Sequence, residues 1–201
     1  MWLYLLQGIG FGFAAAVQPG PFQTYLISQS LTKGWRHTLP AAFAPLLSDA
    51  PIITLSLLVL TQIPISFQRF LYIAGGLFVL YLAQGAYSSW KNFDSNLPSP
   101  GLRPQQNIIK AALINALSPG PYIFWSLVTG PILVAGWRDA PGIGIAFMLG
   151  FYVTFILCLM SLILIFGTMQ NLGQRVRRAL VGVSAIALLG FGVYQLWLGI
   201  H

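Results

Sequence analysis

What most constrains this chain is where its charges are absent. No charged residue occurs in 1–32, 70–90, 111–137, 140–174 or 179–200, and 37–68 holds only Asp49. Each of these six stretches exceeds the roughly 20 apolar residues that carry a helix across a bilayer core of about 30 Å. Charged residues make up 6% of the chain, against roughly a quarter in ordinary globular domains. That leaves too little polar surface for water. The expected fold class is all-α, a polytopic membrane protein with six transmembrane helices.

Several functions fall away with the composition. A net charge of +7 would point to nucleic acid in a soluble protein, but these basic residues sit between hydrophobic runs, so nucleic acid is not an expected partner. Cys158 is the single cysteine, which excludes an intramolecular disulfide and a two-thiol redox relay. His37 and His201 lie apart and form no metal-ligand cluster. No span offers a nucleophile–base pair or two acids, so an enzyme is not expected, and no cofactor is implied. The first apolar stretch has no basic residue ahead of it and runs too long for a cleaved signal peptide, so it reads as the first span.

The spans are expected near 3–29, 38–62, 67–90, 107–132, 141–167 and 178–200. The one long polar connection, 91–106, contains Pro98, Pro100, Gly101 and Pro104 and reads as a loop. It separates a three-helix unit at 1–90 from another at 107–201. The first, third and fifth connections share one side. They carry Lys33, Arg36, Lys91, Arg103, Lys110, Arg175, Arg177 and Arg178, and the opposite side carries Arg69 and Arg138. Excess Lys/Arg marks the cytoplasmic side, so both termini are expected outside.

The halves resemble each other. Pro19-Gly20-Pro21 recurs as Pro119-Gly120-Pro121 (119 − 19 = 100), and Gly34-Trp35-Arg36 recurs as Gly136-Trp137-Arg138 (136 − 34 = 102). The run from Gly75 to Gly85 recurs from Gly182 to Gly192 (182 − 75 = 107). An odd number of spans per half places the second half upside down, giving two inverted three-helix repeats of the kind many secondary transporters use.

Proline inside a helix removes a donor and strands the carbonyl four residues back. Pro19 and Pro21 free the carbonyls of Ala15 and Val17, and Pro119 and Pro121 free those of Asn115 and Leu117. Helices 1 and 4 are therefore expected to break in mid-membrane, where protein or a water-filled cavity must cover the open backbone. Each break offers a half-helix N-terminus, expected after Pro21 and Pro121, that suits an anion such as a carboxylate. It also offers a C-terminus whose carbonyls suit a cation. Simple packing kinks are the plainer alternative.

Asp49 lies near the middle of the second span, within Leu47-Ser48-Asp49-Ala50-Pro51. An acid at that depth marks a ligand, relay or coupling site by default. The plainer alternative is a protonated acid bonded to a freed carbonyl. The candidate substrate-binding residues are Gln18, Pro19, Gly20, Pro21, Asp49, Asn115, Ser118, Pro119, Gly120, Pro121 and Tyr122, with Asp49 also the coupling residue. Asn115, Ser118, Tyr122, Ser126 and Thr129 form one helical face, and Gln18, Tyr25 and Gln29 another. Such side chains line a cavity or serve as interhelical glue. Gln84 has no polar counterpart at Phe191. The small-residue rows Gly8/Gly12 and Gly142/Ala146/Gly150 suit close helix approach, within one chain or in a homo-oligomer. Trp2, Trp35, Trp90, Trp137 and Trp197 lie near span ends as interfacial anchors do, whereas Trp125 is deep and beside a break.

Pro19-Gly20-Pro21, the basic connection Lys33-Gly34-Trp35-Arg36, the lone Asp49 and the glycine-led run Gly75-Gly76-Leu77 together resemble the LysE/RhtB family of amino-acid exporters over nearly the whole chain. In the fourth span the family usually shows Asn-Pro-Lys, and this chain has Ser118-Pro119-Gly120. The position before Asp49 also departs, with Pro45 and Ser48. The resemblance implies proton-driven export of amino acids or similar small solutes across a bacterial cytoplasmic membrane. A cation or metal-ion exporter of the wider superfamily and a non-transporting membrane partner protein are the alternatives.

Overall fold

A computed structural model describes residues 1–59, 65–91, 104–169 and 174–200 of the chain. Among these residues the fold is all helical. The chain opens with two helices on either side of a break, α1 (Trp2–Val17) and α2 (Pro21–Lys33). The short α3 (Trp35–Thr38), a 3₁₀ turn (Leu39–Phe43) and α4 (Ala44–Val59) follow. Then come α5 (Ile65–Lys91) and α6 (Pro104–Ala116). After a second break follow α7 (Pro119–Ile123), a π-helical turn (Phe124–Thr129) and α8 (Gly130–Asp139). The chain closes with α9 (Pro141–Thr168) and α10 (Gln174–Ile200). Most of the expected 91–106 loop lies outside the described residues, although α6 already begins at Pro104, a residue whose fixed φ suits a first helical turn.

Trp35–Leu55, Pro141–Thr168 and Arg178–Ile200 are long and apolar enough to cross a membrane. The pair Asn107–Ala116 and Pro119–Asp139, bent by 57°, makes a fourth if it is counted as one span. This is a multi-pass membrane protein.

Local chemistry explains the punctuation. A residue before proline is pushed out of the helical region. Gln18 (ψ 119°), Gly20 (φ −169°, ψ 178°) and Ser118 (φ −87°, ψ 131°) are accordingly extended, each just ahead of a proline. At Gly34, φ is 87° and ψ 160°, a conformation close to glycine-only, and the chain turns there from α2 into α3.

Close helix contacts rest on missing side chains. A Cβ at Gly8 or Gly12 of α1 would strike the backbone of Phe147 or Phe151, and one at Gly150 would strike Leu5. The small-residue rows thus meet within one chain, with α1 and α9 running parallel. Gly142, expected in that row, has open space around it, and the contact is made by Gly150 two turns on. Gly76 and Gly192 do the same for α5 against α10, with Gly76 by Leu196 and Gly192 by Leu80, which makes that pair antiparallel. The run from α3 into α4 lies parallel to α6, because Asn107 meets His37 of α3 near the start of both and Asn115 meets Ser48 of α4 farther along.

The two tryptophans of the repeated Gly-Trp-Arg both seat on glycines of α9. Trp35 packs on Gly167 and Trp137 on Gly144. The separation is 167 − 144 = 23 residues, or about 35 Å at 1.5 Å per residue. The Trp137 end also holds Tyr4, whose hydroxyl lies 3.5 Å from Asp139.

Candidate functional site

Both breaks face one cavity of about 330 Å³. Its lining includes Gln18, Pro19, Gly20, Pro21, Asp49, Asn115, Ser118, Pro119, Gly120 and Pro121. Of the residues singled out from sequence, Tyr122 is absent from this lining. Its hydroxyl instead donates to the Ala116 carbonyl at 2.9 Å, closing the open end of α6.

Two of the four freed carbonyls accept a hydrogen bond from within the chain. Gln23 donates its side-chain amide to the Ala15 carbonyl at 3.2 Å. Asn115's carbonyl accepts the Ser118 N–H at 3.2 Å, and the Ser118 hydroxyl donates to Ile114 at 2.8 Å. The Leu117 carbonyl lies against the α-carbon of Gly75. Unmet carbonyls in an apolar interior cost enough free energy to recruit such partners.

The donor ends fare differently. α2 starts at Pro21 as expected, but the second half-helix starts at Pro119, two residues earlier than expected. Prolines supply no N–H, so Gly120 carries the donor in the first turn after the second break. Around Gly120 there is open space: a Cβ there would meet nothing within 4 Å.

Asp49 is 3% exposed. Asn115, in the last turn of α6, donates its amide to one carboxyl oxygen at 2.6 Å and to the Ser48 hydroxyl at 2.8 Å. Tyr152 of α9 donates to the other oxygen at 3.2 Å, and the Trp125 side chain lines the same cavity. These partners are donors, so Asp49 accepts at both oxygens. Among the described residues no bond from it to a freed carbonyl is seen.

An aromatic wall backs the acid. Trp125 stacks with Tyr152 at 6.2 Å and meets Phe151 edge-on at 5.1 Å. The π-helical turn that carries Trp125 is held by Thr129, whose hydroxyl donates to the Phe124 carbonyl five residues back at 3.1 Å. Turns of this kind recur at functional sites. On the far side Gln195 of α10 is 7% exposed, and its side-chain oxygen has no hydrogen-bond partner among the described residues.

Tyr152, Gln23 and Gln195 carried no signal in the sequence. Tyr152 sits in an unbroken apolar run, and Gln195 is displaced from the register that Gln84 suggested. The expected polar faces also divide. Asn115 and Ser118 line the cavity, whereas Thr129 is turned to its own backbone. Gln18 lines this cavity, and Tyr25 and Gln29 line another.

The profile of the LysE type translocator family matches residues 13–199, which takes in both breaks and Asp49. The chain belongs to that family. No curated protein and no solved structure matches it significantly. Membership makes this translocator a membrane transporter for a small molecule, and the lining above is its candidate site.

Proposed function

We propose that this translocator exports amino acids or related small solutes across the bacterial cytoplasmic membrane, coupled to protons by alternating access. One observation carries the reading. Two interrupted helices, the buried Asp49 and the unpartnered oxygen of Gln195 converge on a single cavity of about 330 Å³. That volume matches a small solute with two unlike ends.

The solute's carboxylate sits at the starts of α2 and α7, where backbone donors and the positive ends of the helix dipoles favour an anion. Its ammonium faces Asp49 and Gln195, which supply acceptors. Protonation of Asp49 removes the charge that holds the ammonium, so release on one side of the membrane follows the proton gradient. A difference in affinity between inward- and outward-facing forms then biases the cycle.

The architecture that fits this cycle is six spans in two inverted repeats, 1–90 and 107–201. Pairing supports it: α1 lies parallel to α9, the run from α3 into α4 lies parallel to α6, and α5 opposes α10. Exchanging the first span for the fourth and the second for the fifth turns the first pair into the second. The ends rich in Lys and Arg are cytoplasmic and both termini outside.

The test is flux in liposomes. Purified protein is reconstituted, loaded with a panel of labelled amino acids, and assayed with and without a pH gradient. Gradient-stimulated flux is expected for the wild type and none for Asp49→Asn, with insertion unchanged. Full flux through Asp49→Asn would remove the acid from the mechanism.

A further inference from the structure

A second cavity, of about 430 Å³, lies where α2 and α5 end and α6 begins. We propose that it binds an anionic oxygen group, a carboxylate or a phosphate, between Lys33 and Lys110. The inference does not depend on the transport reading and concerns residues outside the central site.

Charge is the first argument. Lys33 and Lys110 both line the cavity, and its described lining contains no acid. Asp49 belongs to the central cavity and Asp139 lies beside Tyr4. Lys110 finds a partial substitute in the Tyr81 ring, its ammonium 5.7 Å from the centroid. Two ammonium groups facing one half-enclosed space repel each other unless an anion comes between them.

An unmet donor is the second, independent argument. Tyr25 is 2% exposed, and its buried hydroxyl has no partner among the described residues. A buried hydroxyl without an acceptor is costly, and a ligand oxygen in the cavity would supply one. Lys33 adds support. Lying beyond the expected span 3–29, it is held down to about 8 by burial and by Lys110, a burden that a bound anion relieves.

The same chemistry can come from a free solute anion or from an anionic lipid headgroup, since basic pockets between helices on the cytoplasmic side take such headgroups. The experiment separates the two. Full-length protein with ¹³C-methylated lysines is placed in phosphatidylcholine nanodiscs and titrated with acetate and with inorganic phosphate. A parallel sample uses nanodiscs containing phosphatidylglycerol. The chain has three lysines, Lys33, Lys91 and Lys110, so Lys91 is the internal control.

We expect the Lys33 and Lys110 resonances to shift and Lys91 to stay. Apparent affinity should weaken about tenfold in Lys33→Gln and in Lys110→Gln, the loss of one charge-assisted contact, and stay unchanged in Arg138→Gln. Shifts with acetate or phosphate identify a free anion, and shifts with phosphatidylglycerol alone identify a headgroup. If none of the three probes moves Lys33 and Lys110, the proposal is wrong. Should either glutamine variant fail to fold, the wild-type resonances still decide.

Discussion

Asn115 donates its amide to Asp49 across 2.6 Å and to Ser48 across 2.8 Å, tying the last turn of α6 to the middle of α4 just before the chain breaks. One side chain thus holds the acid and meets the hydroxyl of its neighbour at the end of a helix.

Replacing Asn115 by Leu should therefore cost more than a single contact. It leaves a carboxyl oxygen and a hydroxyl short of a donor, each loss worth about 1–3 kcal/mol when buried. A lower unfolding temperature in detergent and a loss of flux in liposomes are expected. A variant as stable as the wild type would mean that the amide has no structural share.

Gly120 tests the shape of the site. Its α-carbon faces open cavity space, so Gly120→Val should fill part of the site, at some cost in thermal stability because a branched residue ahead of Pro121 is disfavoured in a helix. Flux of the larger solutes in the panel should fall before that of the smaller ones. Equal loss for all sizes would place the defect elsewhere.

The contact between α1 and α9 is tested by two glycines about half a turn apart. Gly12→Val drives side-chain atoms into the Phe151 backbone and should destabilise by about 1–3 kcal/mol or more, the range for overpacking. Gly10→Ala meets nothing within 4 Å and should be neutral or stabilising by up to about 1 kcal/mol through helix propensity. Unfolding midpoints of the two variants give the comparison directly.

At Gly34 the backbone itself is the test. With φ 87° and ψ 160°, Gly34→Ala should cost on the order of 1–3 kcal/mol, read as a drop in thermal midpoint. An unchanged midpoint would show that the α2–α3 turn readily adopts another conformation.

Anion binding at the second cavity should depend on pH in a stated direction. Lys33 is held down to about 8, so below that pH both lysines are charged, and above it Lys33 loses its proton. The facing titratable groups are Lys110, Tyr25 and Tyr81. Bound anion pulls the Lys33 proton back, so binding takes up protons near pH 8. Acetate, ionised throughout, should bind more tightly at pH 7 than at pH 9.5. Equal affinity at both values would remove Lys33 from the site.

Much of this was legible in the sequence because membranes make few demands and enforce them strictly. Charge-free stretches located the helices, Pro-Gly-Pro located both breaks, and the one mid-span acid located the carboxyl. Side-chain direction was less legible. The face from Asn115 to Thr129 assumed an unbroken 3.6-residue rod. The break at Ser118 and the π-helical turn at Phe124–Thr129 both reset the angular phase, so Tyr122 and Thr129 point at backbone rather than cavity. For the same reason Gln18 parts company with Tyr25 and Gln29. Tyr152 and Gln195 act across helix interfaces, and no pattern along a single helix encodes such a meeting.

The glycine row of α1 and the Gly150 face of α9 are already occupied by each other. A second copy of the protein arriving sideways in the bilayer would find no smooth groove there to nest in. On α9 it would meet the outward knobs Leu149, Val153 and Leu157, all more than half exposed, which are shaped much like the lipid tails they displace and give it little reason to stay.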